Sequence, residues 1–219
     1  MKTYIINQAK ELHRYLNCVN KCIPGVRVEP VDINESFLTS IAKSSELKYR
    51  RELSLQLTVA KIISEQESPV LILEDDCYFT EESSKYVKKL DKELAQLPGD
   101  TGIVLLGAYW KPEYNGHFTQ HTNTFAEIHA PAYFWGCHAV IYMPAVIPEL
   151  TELLTLKKQP AIDRFYSKEI ITKYRCFIHT PMFAWQEDLP DLPGMHGRFN
   201  FKEMHQTSED FLHDKIQTA

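Results

Sequence analysis

The stretch SPVLILEDDCYF, at positions 68–79, constrains the fold more than any other part of the chain. Its apolar run, VLIL, has the length and composition of a buried strand and leads directly into Glu74, Asp75 and Asp76. Three neighbouring carboxylates repel one another, and they are not buried without compensation. We therefore expect a central strand that ends at the acids, and a positive group or a cation beside them.

The rest of the chain alternates between short apolar runs and amphipathic stretches. The predicted strands are 2–7, 26–33, 69–73, 101–110, 125–134, 136–143 and 175–183. The predicted helices are 9–21, 45–65, 81–97, 144–156, 160–174 and 207–217. This alternation is typical of an α/β, Rossmann-like fold, in which helices cover both faces of a mixed, mainly parallel sheet. Ligands of such folds bind at the carboxyl ends of the strands, where we expect the three acids.

The composition is that of an ordinary folded protein, with 44% hydrophobic and 24% charged residues among 219. We predict one domain over residues 1–205 and a helical tail over 206–219. The net charge of −5 argues against nucleic-acid binding, and no apolar run approaches the ~18 residues of a membrane span. The five cysteines form no CxxC pair, which favours a reduced, cytoplasmic protein.

The acids suggest a metal site. Mg²⁺ and Mn²⁺ prefer carboxylate oxygen and often bind through one or two carboxylates together with substrate phosphates. If the strand continued through the acids, Glu74 and Asp76 would face one side and Asp75 the other. We therefore expect Asp76 and Glu74 to contact a metal and Asp75 to orient its neighbours; the alternative is a solvated acidic turn. The sequence has no glycine-rich phosphate loop, which disfavours dehydrogenases and P-loop enzymes.

Several short motifs follow one another along the chain: YIIN, then Arg14, VLILEDD, GCHAVIY, PAID and Gln186. In this order they resemble the GT-A nucleotide-sugar glycosyltransferases. The nearest fit is family 25, which includes bacterial lipopolysaccharide galactosyltransferases and collagen galactosyltransferases. The resemblance covers roughly residues 2–190 in patches, and LILEDD is its most specific part. Small domains of this kind also occur in large algal viruses, and a viral source would place this protein in the host cytoplasm.

The resemblance implies roles for the residues at matching positions. Glu74, Asp75 and Asp76 match the family's Asp-x-Asp-type site for metal and nucleotide. Contacts to the nucleotide or donor sugar are implied for residues elsewhere in the chain: Asn7, Arg14, Arg51, Gly136 and His138. Val59 stands where the family has a histidine. Asp163 matches the acid that opens the following helix, where it would act as the catalytic base or cap the helix.

The segment after Gln186 offers further candidates. His196 lies between two glycines, and Lys202 follows six positions later, which resembles the His-x-x-Gly-x-x-Lys segment of other glycosyltransferases with the glycine displaced. His196 would complete the metal shell and Lys202 would offset the diphosphate charge; the alternative for His196 is a solvated loop histidine. Asp188 and Asp191 compete with Asp163 for a catalytic role if the reaction retains the anomeric configuration. Six aromatic residues near predicted loops could hold an acceptor sugar, although aromatics are core residues by default: Tyr109, Trp110, Tyr114, Phe134, Trp135 and Trp185.

We therefore predict a glycosyltransferase that uses Mn²⁺ (or Mg²⁺) to move a sugar from a UDP-sugar to a glycan or other hydroxyl acceptor. Two alternatives remain open. A metal-dependent nucleotidyltransferase or hydrolase would show no dependence on an acceptor. A non-catalytic nucleotide-sugar-binding domain would bind UDP without turnover.

Overall fold

The computed structural model describes residues 1–21, 24–33, 47–79, 81–110, 117–156, 161–186 and 201–217. Its main sheet contains β1 (Lys2–Ile6), β2 (Val26–Val28), β3 (Val70–Glu74), β5 (Thr101–Leu105), β7 (His117–Gln120), β8 (Phe125–His129), β10 (Ala139–Tyr142) and β11 (Arg175–His179). Two short ribbons pair β4 (Cys77–Phe79) with β12 (Ala184–Gln186), and β6 (Tyr109–Trp110) with β9 (Phe134–Trp135).

The helices are α1 (Leu12–Lys21), α2 (Leu47–Ser64), α3 (Glu81–Val87), α4 (Leu90–Leu94), α5 (Ile147–Leu156), α6 (Ile162–Phe165) and α7 (Phe201–Gln217). A single 3₁₀ turn, Ala9–Glu11, precedes α1, and the π-helical turn Tyr166–Ile170 continues α6.

The main sheet is mixed, with strand order β2-β1-β3-β10-β5-β11-β8-β7. Strands β10 and β8 run opposite to the other six strands of this sheet. Because β10 inserts between β3 and β5, it separates two parallel groups. The predicted α/β, Rossmann-like fold with a mixed, mainly parallel sheet is therefore confirmed.

Consecutive residues of the central strands point to opposite faces, and each face has its own apolar core. Ile6, Ile72 and Val140 pack on one face with residues of α2, α5, α6 and α7. Their neighbours Ile5, Leu71 and Ile141 pack on the other face with residues of α1, α3 and α4. Burial on both faces explains why these strands are continuous apolar runs in the sequence.

Several predicted elements are shorter or divided in the structure. The predicted strand 101–110 is interrupted at Gly107, where the backbone of Ala184 passes so closely that an added Cβ would lie 1.8 Å from the Ala184 carbonyl oxygen. The predicted helix 81–97 is divided into α3 and α4 by a turn. The predicted strand 26–33 ends at Val28, two residues before Pro30, which has no N–H group to donate to a neighbouring strand.

Helix α7 packs on the body of the molecule and crosses the predicted boundary between residues 205 and 206. Leu212 is 1% exposed, and the Ser208 hydroxyl accepts a hydrogen bond of 2.9 Å from the backbone N–H of Trp110. The helix thus fills part of the apolar core on its face of the sheet. None of the described helices is long and apolar enough to cross a bilayer.

Truncating Leu212 tests the packing of α7. Leu212→Ala removes a buried side chain, so we expect the free energy of unfolding to fall by about 2–4 kcal/mol in urea titrations. Thr207→Ala, at an exposed position of the same helix, should change it by less than about 0.5 kcal/mol. Equal stability of both variants would show that α7 contributes no core packing.

Candidate functional site

The acids lie where the direction of the chain through the sheet reverses. After β1 the chain crosses to β2 on one side, and after α2 it returns to β3 on the other side of β1. The connections that leave β1 and β3 therefore diverge and open a crevice at the carboxyl ends of these strands. Glu74 is the last residue of β3 and pairs in register with Ile6 of β1, so Asn7 and Asp75 follow side by side.

Asp75 is held by two residues from the β1 side of the crevice. The Asn7 amide donates a hydrogen bond of 2.7 Å to Asp75 Oδ2, and Arg14 Nη2 forms an ion pair with Asp75 Oδ1. Asn7 itself is 1% exposed; its amide also donates to the Glu11 carbonyl, and its Oδ1 accepts from Arg27 Nε at 2.8 Å. Both amide hydrogens of Asn7 are thus used within the protein, and its contacts fix Asp75.

The strand does not continue through the acids. β3 ends at Glu74, and Asp75 and Asp76 form a turn that leads into β4. The expected alternation, with Asp75 facing away from its neighbours, is therefore wrong. Arg14 Nη2 contacts both aspartates, and its distance to Asp76 Oδ2 is 3.6 Å. The turn relieves the repulsion between the acids by bringing two of them to one guanidinium group.

The pKa of Glu74 is strongly shifted by its surroundings. Burial of its carboxyl group, then the charges of Asp76, Asp75 and Asp163, raise its pKa well above the usual range, and Arg14 opposes the shift. Burial likewise raises the pKa of Asp75 to about 6, although Arg14 and Asn7 favour its ionised form. Burial thus outweighs the stabilising charge of Arg14 at both acids.

Asp163 joins this cluster from a distant part of the chain. It lies in the first turn of α6, close enough to raise the pKa of Glu74. Its own pKa is raised by burial, while the backbone N–H groups of Arg164 and Gly136 stabilise the ionised form. Gly136 has a φ of 78°, and an added Cβ would lie 2.8 Å from the Tyr109 ring, so glycine is required at this position.

Tyr109 links the two sides of the cluster. Its ring packs against Gly136, and its hydroxyl accepts a hydrogen bond of 2.9 Å from the backbone N–H of Gln186. The Gln186 side chain in turn donates to Asp76 Oδ2 at 3.3 Å. Sequence reasoning noted Tyr109 only as an aromatic residue and did not assign a role to Gln186, because no local pattern connects positions so far apart in the chain.

An open cleft of about 570 Å³ borders the acids on the β1 side. The end of β1, the start of α1, the segment after β2 and the first turns of α2 form its other walls. These walls carry side chains of both signs, and the basic ones are Lys10, Arg14, Arg50 and Arg51. The cleft thus combines acidic and basic side chains, and such a cleft can hold an anionic ligand together with a cation.

The donor groups fit a divalent cation that is shared with a ligand. Among the described residues, no group of three or more His, Cys, Asp or Glu side chains is arranged to hold a metal alone. Asp76 and Glu74 nevertheless place carboxylates at the edge of the cleft. One or two carboxylates suffice where substrate phosphates supply the remaining oxygens.

The structure brings most of the predicted site residues together. Arg14 and Arg51 line the cleft together with the three acids. Asp163 lies close to Glu74, and Gly136 contacts Asp163. His138 is fully buried, its Nε2 lies 3.0 Å from the Ala184 carbonyl oxygen, and burial lowers its pKa to about 4. Lys202 is exposed on α7 and does not line the cleft. Asp188, Asp191 and His196 lie outside the described residues.

Comparisons with known proteins give only distant likenesses. No family model and no curated protein matches the chain. Among solved structures, an apo UDP-glucose pyrophosphorylase is 13% identical, with a TM-score of 0.45 over 98% of this chain and 82% of that one. A glycosyltransferase involved in glycosylation of the major capsid of PBCV-1 is 10% identical, with a TM-score of 0.41 over 83% and 82%. A putative glucose-1-phosphate thymidylyltransferase from Bacillus anthracis is 12% identical, with a TM-score of 0.44 over 94% and 76%. Likeness at this level does not assign the chain to a family.

Neutralising Glu74 should stabilise the protein. Because the folded state raises the pKa of Glu74, the wild type loses stability as the pH rises from about 4.5 through the folded-state pKa. Glu74→Gln should therefore add about 1–2 kcal/mol to the free energy of unfolding at pH 8 and much less at pH 4.

Urea titrations at both pH values measure this difference. The exposed Glu65→Gln is the matched control and should show no such pH dependence. A Glu74→Gln protein that is less stable than the wild type at pH 8 would contradict the account of the cluster.

Proposed function

We propose that this protein is a metal-dependent glycosyltransferase that moves a sugar from a UDP-sugar to a hydroxyl acceptor. The observation that carries the proposal is the convergence of Glu74, Asp75 and Asp76 at the edge of a cleft that is also lined by arginines, with Asp163 close to Glu74. The sequence resemblance to GT-A glycosyltransferases supports the same assignment, because its most specific motif supplies three of these acids.

The size and position of the cleft support a nucleotide ligand. Ligands of open α/β sheets bind at the carboxyl ends of the strands, where the connections diverge. A volume of about 570 Å³ is sufficient for a nucleoside diphosphate, and Arg14, Arg50 and Arg51 line it. In this arrangement the guanidinium groups hold the phosphates, and the acids occupy the end of the cleft where the donor sugar lies.

Asp76 and Glu74 are the residues that would hold the metal. A bound Mn²⁺ or Mg²⁺ would offset the negative charge of the departing diphosphate. Gln186 and Arg14 keep the Asp76 carboxylate at the edge of the cleft. Asn7 and Arg14 keep Asp75 in place, so Asp75 orients the cluster.

Asp163 is the proposed base. The acceptor oxygen forms a bond to the anomeric carbon, the bond from that carbon to the β-phosphate oxygen breaks, and UDP leaves. The acceptor's proton passes to the Asp163 carboxylate, whose raised pKa favours proton uptake. This assignment applies to a reaction that inverts the anomeric centre; in a retaining reaction Asp163 positions the sugars.

Turnover of UDP-sugars tests the proposal. With Mn²⁺ and a mixture of saccharide acceptors, the wild type should release UDP and form a glycosylated product, detected by mass spectrometry. Asp76→Asn keeps the shape of the side chain but removes its charge, so the rate should fall at least ~100-fold. Asp100→Asn, at an exposed position away from the cleft, should keep the wild-type rate.

The products distinguish the alternatives. UDP and free sugar formed at a rate independent of acceptor would indicate a hydrolase, and UDP-sugar formed from UTP and a sugar phosphate would indicate a nucleotidyltransferase. UDP binding without turnover would indicate a non-catalytic binding domain. A fully active Asp76→Asn protein would contradict the role of the cluster.

A further inference from the structure

Two tryptophans each precede a residue that contacts an acid of the cluster. Trp135 is followed by Gly136, whose backbone N–H stabilises Asp163. Trp185 is followed by Gln186, whose side chain donates to Asp76. Each indole is therefore one residue from a group that contacts an acid of the cluster, and both side chains are partly exposed.

Trp135 lies on the face of the β6–β9 ribbon opposite to Phe134. It pairs with Tyr109 across the β6–β9 ribbon, so these two side chains lie on the same face of the ribbon. The Tyr109 hydroxyl on this face reaches the backbone N–H of Gln186. The neighbouring Phe134 lies on the opposite face, where it packs against Trp110 in the core.

Trp185 forms a second aromatic wall beside Gln186. Its ring lies 4.5 Å from the Tyr78 ring across the β4–β12 ribbon and 5.0 Å from the His205 ring of α7. Tyr109 joins the two ribbons, because it pairs with Trp135 and its hydroxyl accepts from Gln186. Tyr133, two residues before Trp135, is 44% exposed. We call Trp135, Trp185 and Tyr133 the aromatic surface.

The described residues that line the 570 Å³ cleft include none from the β6–β9 ribbon or from β12. The aromatic residues of the two ribbons therefore lie outside this cleft. The C–H groups on one face of a pyranose ring form an apolar patch that stacks on an indole, while its hydroxyl groups hydrogen-bond to carboxylates and amides. Trp135 beside Asp163, and Trp185 beside Gln186, offer both kinds of contact.

We infer that Trp135 and Trp185 form a pyranose-binding subsite and that the acceptor is a saccharide. This inference rests on the proposed function, because only a transferase has an acceptor. The binding of a sugar to the subsite does not itself require turnover. A pyranose stacked on Trp135 would present a hydroxyl group to Asp163, across the acids from the nucleotide. A protein side chain or a lipid hydroxyl would not need two indoles beside the acids.

Saturation-transfer NMR with simple sugars tests the subsite directly. The probes are the methyl pyranosides of galactose, glucose and mannose, added to the wild-type protein without any donor. We expect saturation transfer to the ring C–H protons of at least one of them. Trp135→Ala should weaken that binding ~10-fold, and Trp135→Phe, which keeps an aromatic face, should stay within about 3-fold of the wild type.

Two controls make the result specific. Tyr86→Ala removes an aromatic side chain that is 42% exposed and lies on α3, outside the aromatic surface, and it should not change sugar binding. Thermal unfolding of every variant checks the fold. If Trp135→Ala unfolds, Trp185→Ala, which truncates the second indole and should also weaken sugar binding, keeps the test decisive. UDP affinity should be the same in all variants, because Trp135 does not line the cleft.

The outcomes separate this inference from the proposed function. Absence of saturation transfer from all three pyranosides, or equal binding by Trp135→Ala and the wild type, would overturn the subsite whatever the protein does with UDP. Sugar binding that depends on Trp135 in a protein that neither binds nor turns over UDP would support the subsite and overturn the proposed function. Transfer to a peptide or lipid hydroxyl at a rate unchanged by Trp135→Ala would overturn the inference that the acceptor is a saccharide.

Discussion

Four carboxyl groups approach one another where β3 leaves the sheet, and the arrangement of the site follows from their mutual repulsion. Burial and three neighbouring acids raise the pKa of Glu74 well above its usual range. Arg14 contacts two of the acids, and Asn7, Gln186 and the backbone N–H of Gly136 contact one each. These contacts hold the acids in place at the edge of a cleft. Acids with shifted pKa values that converge at a cleft are typical of a functional site.

The contacts that hold the acids come from separate elements, and the fold brings these elements to one point. The parallel pairing of β1 with β3 places Asn7 beside Asp75, and α1 brings Arg14 to the turn. The two ribbons add Gln186 and Gly136 from the other side, and the buried Tyr109 joins them. Gly107 allows the Ala184 backbone to pass against β5, which places Gln186 near Asp76. The site therefore depends on close backbone packing as well as on the acids.

Sequence reasoning identified the features that are local. The apolar run of β3 and the three acids after it are contiguous, so the strand, its end and the position of the cluster could be predicted. Contacts between distant positions could not: the pairing of Gln186 with Asp76, the role of Tyr109 and the insertion of β10 between β3 and β5 depend on tertiary packing. The interruption of the strand 101–110 likewise depends on Ala184, which lies far along the chain from Gly107. Asn7 was expected to contact the nucleotide, whereas its amide hydrogens bond to Asp75 and to the Glu11 carbonyl.

We propose that the acid cluster binds a divalent cation jointly with a nucleoside diphosphate. Electron paramagnetic resonance of Mn²⁺ tests it directly, because the signal of the free hydrated ion decreases when the ion binds to protein. The described residues hold no complete set of protein ligands for a metal, so we expect the protein alone to bind Mn²⁺ weakly. When UDP is added, we expect one tightly bound Mn²⁺ ion per chain. Asp76→Asn should lose the UDP-dependent binding. The cation and the nucleotide do not bind jointly at the acids if protein and UDP together bind no more Mn²⁺ than UDP alone. Equal binding of Mn²⁺ by Asp76→Asn and the wild type would contradict the joint site as well.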